Sequence, residues 1–172
     1  MCGIAAYLGS EQAYPLLTAA LSKLEYRGYD SAGIALIDGN GDIHLNKTIN
    51  KVASLSENNS EASLNSTVGI AHTRWATHGS PTVSNAHPHV DRGKNIAVVH
   101  NGIIENFAEL KTQLQKQGYE FVSETDSEVI PHLIAQQMKE GLDFESAFAS
   151  LNTLLQGSQA IVAVLASEEP MI

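Results

Sequence analysis

The spacing of apolar residues along the chain predicts both short strands and amphipathic helices. Apolar runs predict strands at 3–9, 31–37, 42–48, 67–72, 95–100 and 158–165. Apolar residues recurring every three or four positions predict helices at 12–24, 107–118, 125–138 and 143–155, with a short helix after position 51. Hairpin-paired strands with helices in blocks favour two antiparallel sheets covered by helices.

Turn and cap residues set the expected ends of these elements. The sequence Asp-Gly-Asn-Gly at 38–41 is typical of a hairpin turn between two strands. Thr-Asp-Ser-Glu at 125–128 has the spacing of a capping box and predicts a helix start. Pro131 falls inside that helix and predicts a kink. No linker or repeat divides the chain, so residues 1–172 are expected to form one domain.

The composition is that of an acidic globular protein. Of its 172 residues, 43% are hydrophobic and 17% are charged, and the formal net charge is -9 at pH 7. Without a basic stripe, this charge argues against nucleic acid and against an anionic membrane as partners. The longest apolar runs are far shorter than the ~20 residues of a membrane-spanning helix. A single cysteine excludes an internal disulfide and favours a cytoplasmic protein.

That cysteine, Cys2, directly follows Met1. A lone cysteine is most often a small buried hydrophobe. Removal of Met1 would place the thiol on the residue that carries the α-amine of the chain, whose pKa is about 7.7–8.0. The amine could then accept the thiol proton, directly or through a water, as in other N-terminal nucleophiles that perform acyl transfer.

Four further residues could serve an attack of Cys2 on an amide. Asn101 and Gly102, at the end of a predicted strand, could donate hydrogen bonds to an oxyanion or form an ordinary turn. Arg74, at another strand end, could clamp a carboxylate or form a surface salt bridge. Asp126 could bind a substrate ammonium or only cap the helix that begins beside it.

The histidines cluster in one part of the sequence and raise the question of a metal site. Five of the seven lie between positions 72 and 100, namely His72, His78, His87, His89 and His100. Their spacings match no standard zinc motif, and there is no second cysteine. We therefore expect structural or loop histidines with satisfied hydrogen bonds, and neither a metal nor a cofactor.

Five segments taken together make the chain recognisable. They read Cys-Gly-Ile at 2–4, Leu-Glu-Tyr-Arg-Gly-Tyr-Asp-Ser-Ala-Gly at 24–33, His-Thr-Arg-Trp-Ala-Thr-His-Gly at 72–79, Asn-Ala-His-Pro-His at 85–89 and His-Asn-Gly-Ile-Ile-Glu-Asn at 100–106. In this order they closely resemble the glutaminase domain of the glutamine–fructose-6-phosphate amidotransferase family, a branch of the class II glutamine amidotransferases. The resemblance is specific from Cys2 to about Asp126 and looser beyond.

The resemblance implies hydrolysis of L-glutamine to glutamate and ammonia through a γ-glutamyl thioester. Cys2 would be the nucleophile and its own amine the base, while Asn101 and the Gly102 amide would form the oxyanion hole. In complete family members the ammonia passes to fructose 6-phosphate and gives glucosamine 6-phosphate. Two other functions stay open: another N-terminal-nucleophile amidase or amidotransferase branch, and an inactive, non-enzymatic fragment of the domain.

The resemblance also implies how glutamine is held. Arg74 would bind the α-carboxylate, and Asp126 would bind the α-ammonium together with Thr77 and the Gly102 carbonyl. Trp75 and His78 would belong to a loop that closes over glutamine, and Arg27 would help to support the site.

The fold implied by the resemblance is α+β, a four-layer αββα sandwich of the N-terminal-nucleophile hydrolase type. Family members continue well beyond position 172, so the sandwich is expected to be truncated at its C-terminus and the sugar-phosphate isomerase domain to be absent. That domain is the implied partner in the full-length protein, for which a homodimer stays open.

Overall fold

Two antiparallel sheets form the centre of the chain, whose computed structural model describes residues 2–28, 30–58, 65–75, 80–167 and 171–172. The strands of the first sheet are β1 Gly3–Leu8, β2 Ser31–Ile37, β3 Ile43–Thr48 and β4 Val68–Arg74. They pair in the order β1-β4-β2-β3, and every pair is antiparallel. The strands of the second sheet are β5 His89–Val90, β6 Ile96–Gly102 and β7 Gln159–Leu165, in the order β5-β6-β7.

Helices cover the outer face of each sheet. On the first sheet lie the helix α1 Ala13–Leu24 and the 3₁₀-helix Val52–Asn58. On the second sheet lie α2 Phe107–Lys116, α3 Val129–Lys139 and α4 Phe144–Leu154. The described residues thus form the four layers αββα, which confirms the predicted α+β class. No helix in the described ranges combines the length and apolar character needed to cross a membrane.

The layer between the two sheets is filled by alternate residues of the facing strands. Buried there are Val68 and Ile70 of β4, Ala97 and Val99 of β6, and Ala35 and Ile37 of β2. Because side chains of a strand alternate between its two faces, the next inward positions are His72 on β4 and Asn101 on β6. At this end of the layer the inward side chains therefore change from apolar to polar. We call the end that contains His72 and Asn101 the polar end.

The predicted elements are confirmed with most bounds moved by no more than two residues, except that the helix predicted at 125–138 begins at Val129. The hairpin at 38–41 joins β2 and β3 as expected. The strands predicted at 67–72 and 95–100 run two residues further, so that β4 ends at Arg74 and β6 at Gly102. The two-residue strand β5 was not predicted, because it is too short to show an alternating pattern.

The predicted capping box at 125–128 is wrong. The Glu128 carboxylate does not bond to Thr125 but accepts hydrogen bonds from the amides of Val122 and Ser123, at 2.8 and 2.7 Å. It also accepts one from the Ser123 hydroxyl at 2.6 Å. Burial raises the pKa of Glu128, but the His132 side chain and these bonds outweigh it and hold the pKa at about 2. Glu128 therefore fixes the segment that precedes the helix rather than the helix end itself.

The predicted kink at Pro131 is also wrong, because the α-helix begins later than the sequence pattern suggested. A 3₁₀-turn at Asp126–Glu128 comes first, and α3 starts only at Val129. Pro131 then lies in the first helical turn, where the backbone amides need no intrahelical partner.

Three buried histidines stack at the polar end of the inter-sheet layer. The ring centroids of His72 and His87 are 4.1 Å apart, and those of His87 and His89 are 4.6 Å apart. Burial lowers the pKa of His72 to about 4 and the pKa values of His87 and His89 well below 6.5. The neighbouring His72 lowers the pKa of His87 further, and Lys47 does the same for His89. The expectation of satisfied histidines is wrong for His87, since neither ring nitrogen has a hydrogen-bond partner among the described residues.

Gly33 leaves the room that this stack requires. A Cβ at this position of β2 would overlap the carbonyl oxygen of His87 and come within 3.2 Å of the Asn46 carbonyl oxygen. Both neighbours are backbone atoms, which cannot turn aside as a flexible side chain could. The absence of a side chain at Gly33 therefore lets the segment of His87 pack directly on the first sheet.

Replacing Gly33 by alanine should lower the free energy of unfolding by about 1–3 kcal/mol, because two backbone segments must separate. Gly39→Ala is the matched control, since its Cβ would meet no described atom within 4 Å. This control should change stability by less than about 0.5 kcal/mol. Urea unfolding measures the free energy of unfolding of both variants. An equal loss of stability in Gly33→Ala and Gly39→Ala would contradict a packing limit at position 33.

The buried histidines should make the fold sensitive to mild acid. In the unfolded chain these histidines take up a proton near pH 6.5. In the folded chain their pKa values are lower, and that of His72 is about 4. The unfolded state therefore takes up more protons, and the free energy of unfolding should fall by about 1.4 kcal/mol per pH unit for each such histidine below pH 6.5.

The measurement is urea unfolding between pH 7 and pH 5, with His89→Gln as the comparison. Glutamine keeps a group that can bond to the Thr125 hydroxyl, which lies 3.0 Å from Nε2 of His89, but it does not titrate. The variant should therefore show a shallower pH dependence by about 1 kcal/mol per pH unit. An unchanged slope would mean that His89 is protonated in the folded protein.

Candidate active site

Six of the residues to which the resemblance gives a site role line one pocket at the polar end of the inter-sheet layer. They are Cys2, Arg74, Trp75, Asn101, Gly102 and Asp126, and the rings of His87 and His100 line the same pocket. Thr77 and His78 lie outside the described residues, as does the side chain of Arg27, whose backbone ends the 3₁₀-helix Glu25–Arg27. A larger cleft between α4 and β7 is mostly apolar and contains none of these residues.

Pairing between β1 and β4 places Cys2 in this pocket. Gly3 lies opposite Thr73 in the antiparallel register, so Cys2 reaches the end of β4. The amide of Trp75 donates a hydrogen bond to Sγ of Cys2 at 3.2 Å, and Sγ lies 3.7 Å from the carbonyl oxygen of Trp75. The thiol is thus held against the backbone that follows Arg74.

Asn101 contacts the cysteine from the second sheet. Its Nδ2 donates a hydrogen bond to the carbonyl oxygen of Cys2 at 3.2 Å, and its Oδ1 lies 2.9 Å from Nε2 of His72. One Nδ2 hydrogen is used in the bond to Cys2, and an amide nitrogen carries two. The other hydrogen remains available for a group bound beside the thiol.

Gly102 is part of a strand rather than a turn. Asn101 and Gly102 pair with Ala160 and Gln159 of β7, which excludes the Asn-Gly turn left open by the sequence. The φ of Gly102 is +146°, and a Cβ here would overlap the carbonyl oxygen of Ser158. Only glycine fits this conformation and this space, so β6 can pack closely against Ser158 while Gly102 lines the pocket.

Two opposite charges lie in the wall of the same pocket. Arg74 is 5% exposed and Asp126 is 9% exposed. Burial lowers the pKa of Arg74, while Cys2, Asp30 and Asp126 act in the opposite direction. This burial excludes the surface salt bridge that the sequence left open for Arg74. A buried cation and a buried anion in one pocket match the two ends of a zwitterion.

The carboxylate of Asp126 is oriented by its neighbours. Oδ2 accepts a hydrogen bond from the Ile104 amide at 2.8 Å, just beyond the end of β6, and Oδ1 lies 3.4 Å from the Ser127 hydroxyl. The second sheet therefore determines where this carboxylate points, and α3 follows it directly in the chain.

A hydrogen-bonded chain beneath Gly102 was not found from the sequence. His100 donates from Nε2 to Oε1 of Gln159, and its Nδ1 accepts from the Ser127 hydroxyl at 2.8 Å. Gln159 in turn donates to the Ile103 carbonyl at 3.0 Å. Its members come from β6, β7 and the 3₁₀-turn that precedes α3, so no local sequence pattern marks it.

Hydrogen bonds join the segments on either side of the pocket. Trp75 is 44% exposed there. Arg74 donates from Nη1 to the Ser80 carbonyl at 3.4 Å, and Asn85 donates to the same carbonyl at 2.9 Å and to the Glu124 carboxylate at 3.1 Å. Asn85 thus ties the segment that begins at Ser80 to the segment that leads to Asp126, a contact that sequence reasoning missed.

No metal centre is evident in the described ranges. No group of three or more histidine, cysteine, aspartate or glutamate side chains there is arranged to hold a metal ion. The three buried histidines contact one another, His72 and His87 with tilted rings and His87 and His89 edge to face. The described pocket is lined by a thiol, amide groups, the Arg74–Asp126 pair, the rings of His87 and His100, and two hydroxyls.

Curated proteins that share one name match nearly the whole of this chain. Curated relatives named glutamine–fructose-6-phosphate aminotransferase [isomerizing] include one from Chlamydia abortus, 53% identical over 158 residues, which are 92% of this chain and 26% of that protein. Another, from Clostridium tetani, is 49% identical over 99% of this chain and 27% of that protein. The chain thus spans about a quarter of the length of these relatives.

The fold has a close counterpart among solved structures. Glutamine phosphoribosylpyrophosphate amidotransferase from B. subtilis superposes with a TM-score of 0.80 at 25% identity, over 97% of this chain and 36% of that one. The model of the glutamine amidotransferase domain family matches residues 72–169, which is more than half of the chain. The resemblance noted in the sequence is confirmed: this chain belongs to the glutamine amidotransferase domain family.

Proposed function

We propose that this domain hydrolyses L-glutamine to glutamate and ammonia, with Cys2 as the nucleophile. The observation that carries the proposal is the meeting in one pocket of a thiol, an amide donor in contact with the same residue, and the buried pair Arg74 and Asp126. The first two suit attack on a carboxamide, and the pair suits the charged head of an α-amino acid.

Recognition of glutamine would rest on its zwitterionic head. The Arg74 guanidinium can grip the α-carboxylate through two parallel hydrogen bonds, and Asp126 can accept from the α-ammonium. Thr77 and the Gly102 carbonyl would complete the ammonium site, as the family resemblance implies. Trp75 and His78 would cover the ligand. Arg27 would support the site from the segment before β2, where Gly28 packs on the backbone of Arg74.

The reaction begins when Met1 has been removed and Cys2 carries the free amine. The amine takes the thiol proton, and the sulfur attacks the γ-carboxamide carbon. The oxyanion of the tetrahedral intermediate is stabilised by the second Nδ2 hydrogen of Asn101 and by the Gly102 amide. The C–N bond then breaks, and the proton held by the amine leaves with the nitrogen as ammonia.

Water completes the cycle. It adds to the γ-glutamyl thioester, with the amine again as the base. The thioester C–S bond breaks, glutamate is released, and the thiol regains its proton. The same donors serve this second tetrahedral intermediate.

We further propose that the ammonia is used to aminate fructose 6-phosphate. The support is the printed name of relatives that are 46–53% identical over nearly the whole chain. The acceptor site would lie in the sugar-phosphate isomerase domain that acts as partner in the longer protein. Within this proposal, the glutaminase domain supplies ammonia and does not itself bind the sugar.

Replacement of Arg74 tests the assignment of the carboxylate anchor. Arg74→Ala should reduce kcat/KM for glutamine hydrolysis by about 10- to 100-fold, because a charge-assisted bidentate contact is lost. Arg74→Lys should recover only part of this, since an ammonium lacks the planar fork. The assay is ammonia release by protein that begins at Cys2.

Arg92→Ala is the matched control. The Arg92 side chain is 67% exposed and lies 4.0 Å from Glu120, so its loss should leave the kinetics unchanged. Wild-type kinetics for Arg74→Ala would remove Arg74 from the site. Equal hydrolysis of simple amides that lack the α-amino-acid head would instead favour a general amidase.

A further inference from the structure

The amide of Asn101 is held in a single orientation by two different partners. On one side is the carbonyl oxygen of Cys2, 3.2 Å from Nδ2, and on the other is Nε2 of His72, 2.9 Å from Oδ1. The backbone carbonyl can only accept, so it requires the NH₂ group of Asn101 on its side. The amide oxygen then faces His72.

This arrangement determines which imidazole nitrogen carries hydrogen. The amide oxygen can only accept, so Nε2 of His72 must be the donor. Burial lowers the pKa of His72 to about 4, and the ring is therefore neutral with a lone pair on Nδ1. Nδ1 is buried and has no hydrogen-bond partner among the described residues. Turning the amide by 180° would place its oxygen against the carbonyl oxygen of Cys2, and two acceptors cannot bond to each other.

The His72 ring is itself fixed in place. It stacks on His87 with a centroid distance of 4.1 Å, and the backbone at His87 packs directly on Gly33 of β2. His72 is 1% exposed, as a core residue would be, yet its hydrogen bond is aimed at a residue of the pocket wall. A purely space-filling histidine would have no such directed contact.

We propose that His72 is a positioning residue for the oxyanion donor. Its Nε2–H holds the Asn101 amide so that one Nδ2 hydrogen bonds to Cys2 and the other points to the place where negative charge develops beside Sγ. The inference rests on the proposed function, and specifically on Asn101 as a donor. His72 does not touch the substrate and acts only through Asn101.

The test is steady-state glutamine hydrolysis by variants of the full chain with Met1 removed. His72→Leu and His72→Phe remove the donor, the second while keeping a ring against His87. Both should lower kcat by about 10- to 100-fold and change KM by less than about threefold, because a misplaced donor affects the transition state more than glutamine binding. His72→Gln, whose side-chain amide can donate from a similar position, should restore kcat to within about fivefold of the wild type.

A double-mutant cycle separates positioning from general damage. Asn101→Ala alone should lower kcat by about 100- to 1000-fold. In that background, His72→Leu should lower it by less than about twofold further, since the group it positions is gone. Ile134→Val, in the α3 core away from the pocket, is the control for lost stability and should leave kcat unchanged.

The outcomes distinguish the inference from the function on which it rests. Full additivity of the His72 and Asn101 variants, or no rescue by His72→Gln in protein whose thermal unfolding matches the wild type, would overturn the positioning role alone. Unchanged kcat for Asn101→Ala would instead overturn the oxyanion assignment within the proposed function.

Discussion

The antiparallel register between β1 and β4 is the constraint on which the site depends. With Gly3 opposite Thr73, Cys2 lies beside Arg74 and Trp75 at the end of the first sheet. A shift by one residue would turn every side chain of β1 to the other face. The apolar inter-sheet layer prevents that shift, because it buries one face of each strand. The packing of the core and the placement of the nucleophile thus have the same physical origin.

Polar groups gather where this layer ends, and the fold accommodates them in different ways. The histidines stay neutral, Glu128 is held by amides and a hydroxyl, and Arg74 and Asp126 lie close enough to influence each other. Buried polar groups without full partners destabilise a fold. Arg74 and Asp126 lie in the pocket wall, where the proposed zwitterionic ligand would add further charge-assisted contacts.

Most strands and helices could be predicted because their periodicity reflects burial on one face. The alternation of Val68 and Ile70 even indicates that His72 points inward. The predictions that failed, and the contacts that were missed, depended on hydrogen bonds that the spacing of residue types does not record. Glu128 has the spacing of a capping residue, but the backbone at 122–123 holds it. The contacts of Asn101 with Cys2 and His72 join positions 99 and 29 residues apart, which no local pattern records.

The central claim is that Cys2, once it is the first residue, forms a γ-glutamyl thioester in this pocket. The most direct measurement is intact-mass analysis of protein quenched in acid during turnover of glutamine. The account predicts an acyl adduct that maps to Cys2, appears in protein beginning at Cys2, and is absent from Cys2→Ala and from protein that retains Met1. Glutamine turnover by Cys2→Ala, or an adduct on another residue, would contradict it.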